Sequence, residues 1–354
     1  MKHKLITFVL LLIGTMLMLS GCSRENPHSK VLRMGCFPNV THVQGLVARN
    51  MWRHKSCDGK GWFEREVPGY TEEWYTFNAG PTAMEALFGN TVDVSYVGPS
   101  PALNAYAVSA GREVRLLAGA VNGGAALLVS KSSGIRTNAD FRGRNIATPQ
   151  LGNTQDVSCR AWLMDIGMNC PVEGGGDCRV SPTPNAMQLQ LMTQGDIDAC
   201  WTVEPWVTRL IQKAGASIYK EDPNVVTTVL ASRVGWLKHH PQAAAQVVQA
   251  HRKLTAWIQA HPDEAQAHVV DELMHLTQSD ERERTDLAAQ VKSAWGRMTL
   301  TDTVDIAGME QFVKDGQRTG LLDHVPPVSG MLYAATAPTA QPTDNSTEPR
   351  ENNH

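Results

Sequence analysis

Short apolar runs alternate with helical stretches along most of this 354-residue chain, and that alternation limits its possible folds more than any other feature. Apolar runs of roughly four to eight residues between turn residues read as strands, and strands alternating with helices build mainly parallel sheets covered on both faces. The first is Val31-Leu32-Arg33-Met34, ended by Gly35 and followed by a helix that reaches Arg53. Strands at 70–77, 92–97 and 114–120 then alternate with helices at 81–88 and 100–109. A second series opens at 125–129, passes through 145–147 and a helix at 154–166, and ends near Asp198-Ala199-Cys200-Trp201. After Val225 the period becomes helical: Val247, His251, Leu254 and Ile258 share one face, and further helices are expected at 262–276, 281–295 and 304–319. The chain should therefore be an α/β protein of two lobes. Residues 31–121 plus 230–334 form a discontinuous first lobe, and 122–229 form the second. From 335 to 354, Thr, Pro, Ala and Asn replace any apolar period, which predicts a disordered tail.

The amino terminus reads as an export signal, with Lys2 and Lys4 preceding a nearly unbroken apolar stretch at 5–19. That stretch is shorter than the roughly 20 residues a membrane-spanning helix needs. It ends in Leu19-Ser20-Gly21-Cys22, which resembles the lipobox of bacterial lipoproteins. The resemblance implies a signal peptide at 1–21, lipidation of Cys22 and a lipidated tether at 22–30. The protein would then be periplasmic or otherwise extracytoplasmic, held to a cell membrane by acyl chains. A net charge of −3 with 19% charged residues leaves no nucleic-acid footprint, so a small molecule is the expected partner.

Six cysteines remain besides Cys22 in a compartment that permits oxidation. Cys170 and Cys178 flank a glycine-rich loop and are expected to pair. Cys36 with Cys57 is a second expected pair, while Cys159 and Cys200 stay unassigned. The sequence has no CxxC pair and no HExxH helix, so no metal is expected. Neither GxGxxG nor a P-loop is present, so no nucleotide or other cofactor is expected.

Four loops follow strands and open helices with small, Pro or hydrogen-bonding residues. They are Cys36-Phe37-Pro38-Asn39-Val40-Thr41-His42, Asn78-Ala79-Gly80-Pro81-Thr82, Val97-Gly98-Pro99-Ser100-Pro101 and Gln150-Leu151-Gly152-Asn153-Thr154-Gln155-Asp156. A helix N-terminus presents unpaired N–H groups and a partial positive charge, which makes it an anion site without any arginine. Any one such loop could simply start a helix. Recurrence after successive strands points to a binding cleft at the carboxyl ends of the sheets.

Asn78-Ala79-Gly80-Pro81-Thr82-Ala83-Met84-Glu85-Ala86-Leu87, Val92-Asp93-Val94-Ser95-Tyr96-Val97-Gly98-Pro99-Ser100-Pro101, Gly152-Asn153-Thr154-Gln155-Asp156 and Gly195-Asp196-Ile197-Asp198-Ala199-Cys200-Trp201-Thr202-Val203-Glu204-Pro205-Trp206 resemble, in that order, the nitrate, sulfonate and taurine-binding family of type 2 periplasmic binding proteins. That family also includes receptors for a thiamin-precursor pyrimidine. The resemblance runs from about Val31 to Leu332. It implies two α/β lobes joined by crossing strands near 121–125 and 228–232, a ligand clamped in the interlobe cleft, and delivery to an ABC permease driven by its ATPase. It carries over Asn39, Thr41, Gly80, Thr82, Ser100, Gly152, Asn153, Thr154 and Glu204 as ligand contacts. The segment 55–68, with Cys57, is longer than the family pattern and would reshape the cleft near the first loop.

Glu204 beside an anion cleft favours a ligand that also bears a cationic group, hence an aminosulfonate such as taurine over bare nitrate. The alternative is a carboxylate that caps the helix at Pro205. Trp201 would stack on ligand or belong to the core, and His42 would donate to an oxyanion or cap a helix. The expected function is a monomeric receptor that captures a small anion or zwitterion for import, without catalysis. A nitrate, phosphonate or pyrimidine receptor is the first alternative. A ligand-sensing lipoprotein partnered with a membrane signalling protein is the second. An enzyme would need a nucleophile with its base, and the sequence offers no GxSxG elbow.

Overall fold

The computed structural model describes residues 31–334. The signal segment, Cys22, the tether and the tail at 335–354 lie outside the described residues. The chain lays down β1 (Val31–Cys36), β2 (Thr71–Thr76), β3 (Val94–Val97) and β4 (Val114–Gly123) in one sheet. It then builds a second sheet from β5 (Ala125–Val129), β6 (Asn145–Thr148), β7 (Arg179–Pro182), β8 (Ala199–Val203) and β9 (Ser217–Glu221). Finally it returns to the first with β10 (Val226–Arg233) and β11 (Met298–Leu300). The first sheet runs β11-β4-β10-β3-β1-β2 and the second β7-β6-β8-β5-β9. In each, a parallel trio carries the binding loops: β1 pairs with β2 and β3, and β6 with β7 and β8. An antiparallel strand adjoins each trio, β10 beside β3 and β5 beside β8.

The apolar runs are continuous because both sheet faces are covered. Along β5, Leu127 and Val129 enter one core while Ala126 and Leu128 enter the other, the period-two alternation of a strand buried on both sides. Each buried leucine there contributes roughly 1.5–3 kcal/mol. Helix Pro241–Ala260 presents Val247, His251, Leu254 and Ile258 to the first core, all fully buried. His251 is accommodated because Tyr96 Oη lies 3.0 Å from its Nδ1 and Gly119 O lies 2.8 Å from its Nε2. Among the described residues, no helix is long and apolar enough to cross a membrane.

The chain crosses between the sheets at 123–125 and again at 221–226. The second crossing expected at 228–232 falls instead inside β10, where Val229 opposes Val97 and Leu230 opposes Tyr96. These residues are fully buried on both faces, and an apolar run by itself does not distinguish a central strand from a crossing one.

The expected insertion effect is also corrected. Residues 55–68 form the short helix Trp62–Glu66, whose Trp62 Nε1 donates to Ala250 O at 3.0 Å. The segment braces the outer core of the first lobe and supplies nothing to the cleft.

Cys170 and Cys178 are bonded, with Cα atoms 5.5 Å apart, but Cys36 and Cys57 are separate buried thiols. Cys36 lies against Gly45, near the start of helix Val43–His54, and Cys57 lies 3.9 Å from the sulfur of Met51, near its end. Six residues of helix separate the two contacts by about 9 Å, beyond disulfide reach. Cys159 and Cys200 are likewise free and buried.

Candidate functional site

Five helix beginnings meet at a cavity of about 40 Å³ between the lobes. From the first lobe, Asn39, Thr41 and His42 form the turn leading into helix Val43–His54. Gly80 opens helix Gly80–Phe88, and Gly98 precedes helix Pro99–Val108. From the second lobe, Asn153 and Thr154 open helix Thr154–Asp165, and Asn185 opens helix Asn185–Gln194. Glycine permits the close approach: a β-carbon on Gly98 would overlap Thr154 Oγ1 of the opposite lobe, and one on Gly80 would overlap the ring of Pro101.

The loop of helix Thr154–Asp165 is wound tightly by its own sequence. Asn153 Oδ1 accepts from Asp156 N at 2.9 Å, and the buried Asp156 carboxylate accepts from Gly152 N at 3.0 Å and Thr148 Oγ1 at 2.8 Å. Arg160, one turn on, pairs with Asp156 and donates to Cys170 O at 2.9 Å, fixing the helix to the disulfide loop.

Among the described residues that line the cavity, no side chain carries a full charge at neutral pH. His42 is neutral because burial pushes its pKa down to about 3. Its ring stacks on Phe37 with centroids 4.3 Å apart. His42 Nδ1 and Thr154 Oγ1 are buried without a hydrogen-bond partner, as is Ser100 Oγ at the start of helix Pro99–Val108. An unpaired buried polar group costs roughly 1–3 kcal/mol, so such a cluster is expensive unless something else occupies its free valences. The chemistry offered is a set of neutral donors and aligned peptide dipoles, suited to an oxyanion of low charge.

Of the residues named from sequence, the cavity gathers Asn39, Thr41, His42, Gly80, Asn153 and Thr154. Thr82 is exposed on its helix and faces away, while Gly152 (φ +72°) acts through the turn it permits. Trp201 lines a neighbouring groove and packs on Trp162, centroids 6.3 Å apart.

Glu204 is corrected more thoroughly. Its carboxylate is fully buried, accepts from Thr208 N at 3.1 Å and Thr208 Oγ1 at 3.0 Å, and lies 3.2 Å from Arg297 Nε. Burial raises its pKa to about 7, against the opposing pull of Thr208 and Arg297. It caps a helix and joins the lobes, and it offers no carboxylate to a ligand's cationic group. Its backbone contributes too, because Val40 N donates to Glu204 O at 3.0 Å.

Asn185 and Phe37 were not singled out from sequence. The signal for Asn185 was Thr183-Pro184-Asn185 before a helix, but the preceding strand β7 spans only Arg179–Pro182 and has no apolar run to announce it.

The sequence matches the NMT1-like family over residues 25–274. The chain is 26% identical over 272 residues to the Bacillus subtilis (strain 168) protein named "Putative aliphatic sulfonates-binding protein", covering 73% of this chain and 75% of that one. The periplasmic aliphatic sulphonate binding protein SsuA from Escherichia coli superposes with a TM-score of 0.70 at 18% identity, covering 91% of this chain and 98% of that one. The alkanesulfonate-binding protein SsuA from Xanthomonas axonopodis pv. citri, bound to MOPS, gives 0.66 at 19% identity, covering 86% and 98%. With its two sheets, double crossing and interlobe cavity, the chain has the two-lobed type 2 periplasmic binding protein fold and belongs to the NMT1-like family.

Proposed function

We propose that this protein is the solute-binding lipoprotein of an ABC importer, and that its interlobe cavity captures the sulfonate head of a small organic anion. The observation that carries the reading is the lining itself: helix beginnings from both lobes, no charged side chain, and the unpartnered His42 Nδ1 and Thr154 Oγ1. Neutral donors pair well with the three oxygens of a sulfonate, a monoanion that brings no proton of its own. A phosphonate dianion would bring more charge than this set of dipoles neutralises. Because Glu204 is engaged elsewhere, the ammonium of an aminosulfonate finds no partner in the cavity, and a simple sulfonate is favoured over taurine.

Asn39, Thr41, His42, Gly80, Asn153, Thr154 and Asn185 form the contact set in this reading, with Ser100 beside them. The lobes are 31–123 with 226–334 and 125–221, and they close over ligand about the two crossings. Cys22 carries the lipid that holds the protein at the outer face of a membrane, where it delivers ligand to the permease. The names of the relatives support the ligand class, and the cavity supports the mode of capture.

A thermal-shift screen against methanesulfonate, taurine, nitrate, methylphosphonate and aminopyrimidines tests the reading. A ligand at about 100 times its Kd adds roughly 2.7 kcal/mol of apparent stability. Methanesulfonate should shift the transition and methylphosphonate should not. A shift with aminopyrimidine alone would refute oxyanion capture.

A further inference from the structure

The cavity is too small for a whole organic sulfonate, and a much larger groove begins at its wall. A buried water occupies roughly 10–15 Å³ on the same scale, so about 40 Å³ holds an oxyanion head and little else. The groove measures about 330 Å³ and shares Thr154, Gln155 and Thr227 with the cavity.

Two helices from different lobes make its sides. Helix Thr154–Asp165 contributes Thr154, Ser158, Ala161 and Trp162, which fall on one face at helical spacing. Helix Ile306–Arg318 contributes Gln311 and Phe312. Trp201 and Val226 stand between them. Arg318 pairs with both Asp165 and Asp315, one cation between two carboxylates, and Lys220 and Asp222 also line the groove.

We propose that this groove is the tail site for the ligand whose head sits in the cavity, and that the preferred ligand is a sulfonate bearing an aromatic tail. The inference rests on the sulfonate reading above and names the substrate class of that same site. Trp162, Trp201 and Phe312 line the groove with aromatic carbon that suits a flat apolar group, and Thr154 is shared by cavity and groove at one helix beginning. An unbranched two-carbon tail would leave most of the groove unfilled.

Isothermal titration of the protein with methanesulfonate and with p-toluenesulfonate separates the two sites. The aromatic ligand should bind at least roughly tenfold more tightly, the effect of burying a ring. Ser158→Trp and Gln311→Trp fill the groove from opposite sides, Gln311 being exposed, so one variant guards against misfolding of the other. Each should abolish the preference while leaving methanesulfonate affinity within about threefold. Equal affinities in the unsubstituted protein, or a preference that survives both variants, would overturn the tail site and leave the head site standing. Binding of neither sulfonate removes both.

Discussion

Replacing Thr154 by Val should make the protein more stable and its ligand binding weaker. The Thr154 hydroxyl is buried at the first residue of its helix, with Oγ1 lacking any hydrogen-bond partner. Val keeps the β-branch and volume and removes that orphan group, which relieves part of a desolvation cost of about 1–3 kcal/mol. Crowding against Gly98 works the other way, because the new methyl sits where the hydroxyl already approaches the glycine backbone closely. The net gain is about 0–2 kcal/mol, or up to roughly 4 °C in Tm for a chain of this size. Binding loses a hydrogen bond to a charged acceptor, about 1.5–3 kcal/mol, so Kd should rise roughly 10- to 150-fold. Thermal unfolding without ligand and titration with methanesulfonate measure the two effects on one preparation. A variant that is less stable yet binds as before would show that the hydroxyl serves the fold and points away from ligand.

Reduction of Cys170–Cys178, whose positions are eight apart, should lower stability by roughly 2.5 kcal/mol, read as a shift of the guanidinium midpoint with and without reductant. Burial holds His251 down to about 4, below its unfolded value, so its contribution is present above about pH 6.5 and is lost as pH falls. From pH 8 to pH 5 that loss is about 2 kcal/mol, and His251→Gln should remove it from the pH dependence of urea unfolding. Glu204 has the opposite sign: its pKa is raised to about 7, so its contribution is present at low pH and is lost as pH rises through that value. Glu204→Gln should erase about 1 kcal/mol of the decline between pH 6 and 8 without weakening methanesulfonate binding, whereas a large loss of affinity would return Glu204 to the ligand site.

What the sequence revealed, and what it hid, follows from the range of the interactions involved. Helix beginnings are local, so turn chemistry marks the loops of Asn39, Gly80, Asn153 and Thr154, the family resemblance carries those residues over as contacts, and strand order brings the loops together. Of the two readings of Glu204, the helix cap is local and the structure has it through Thr208, whereas Arg297, supplied by the segment before β11 after the chain returns to the first lobe, could not be seen in the sequence. The expected Cys36–Cys57 bond failed on the same ground, since a helix holds the two thiols at opposite ends of its length. Asn185 was hidden differently, behind the four-residue strand Arg179–Pro182, whose pattern is too short to show a period. The hinge-side groove was the least visible feature. Trp162 and Phe312 each look like core on their own helices, and they become two walls of one site only when the second crossing brings helix Ile306–Arg318 beside helix Thr154–Asp165. On the proposed tail site, ligand class would be set by a contact between lobes that no single segment contains. For this fold, substitutions that retune specificity should fall on helix Ile306–Arg318 and the flank of helix Thr154–Asp165, while the loops that grip the head stay fixed.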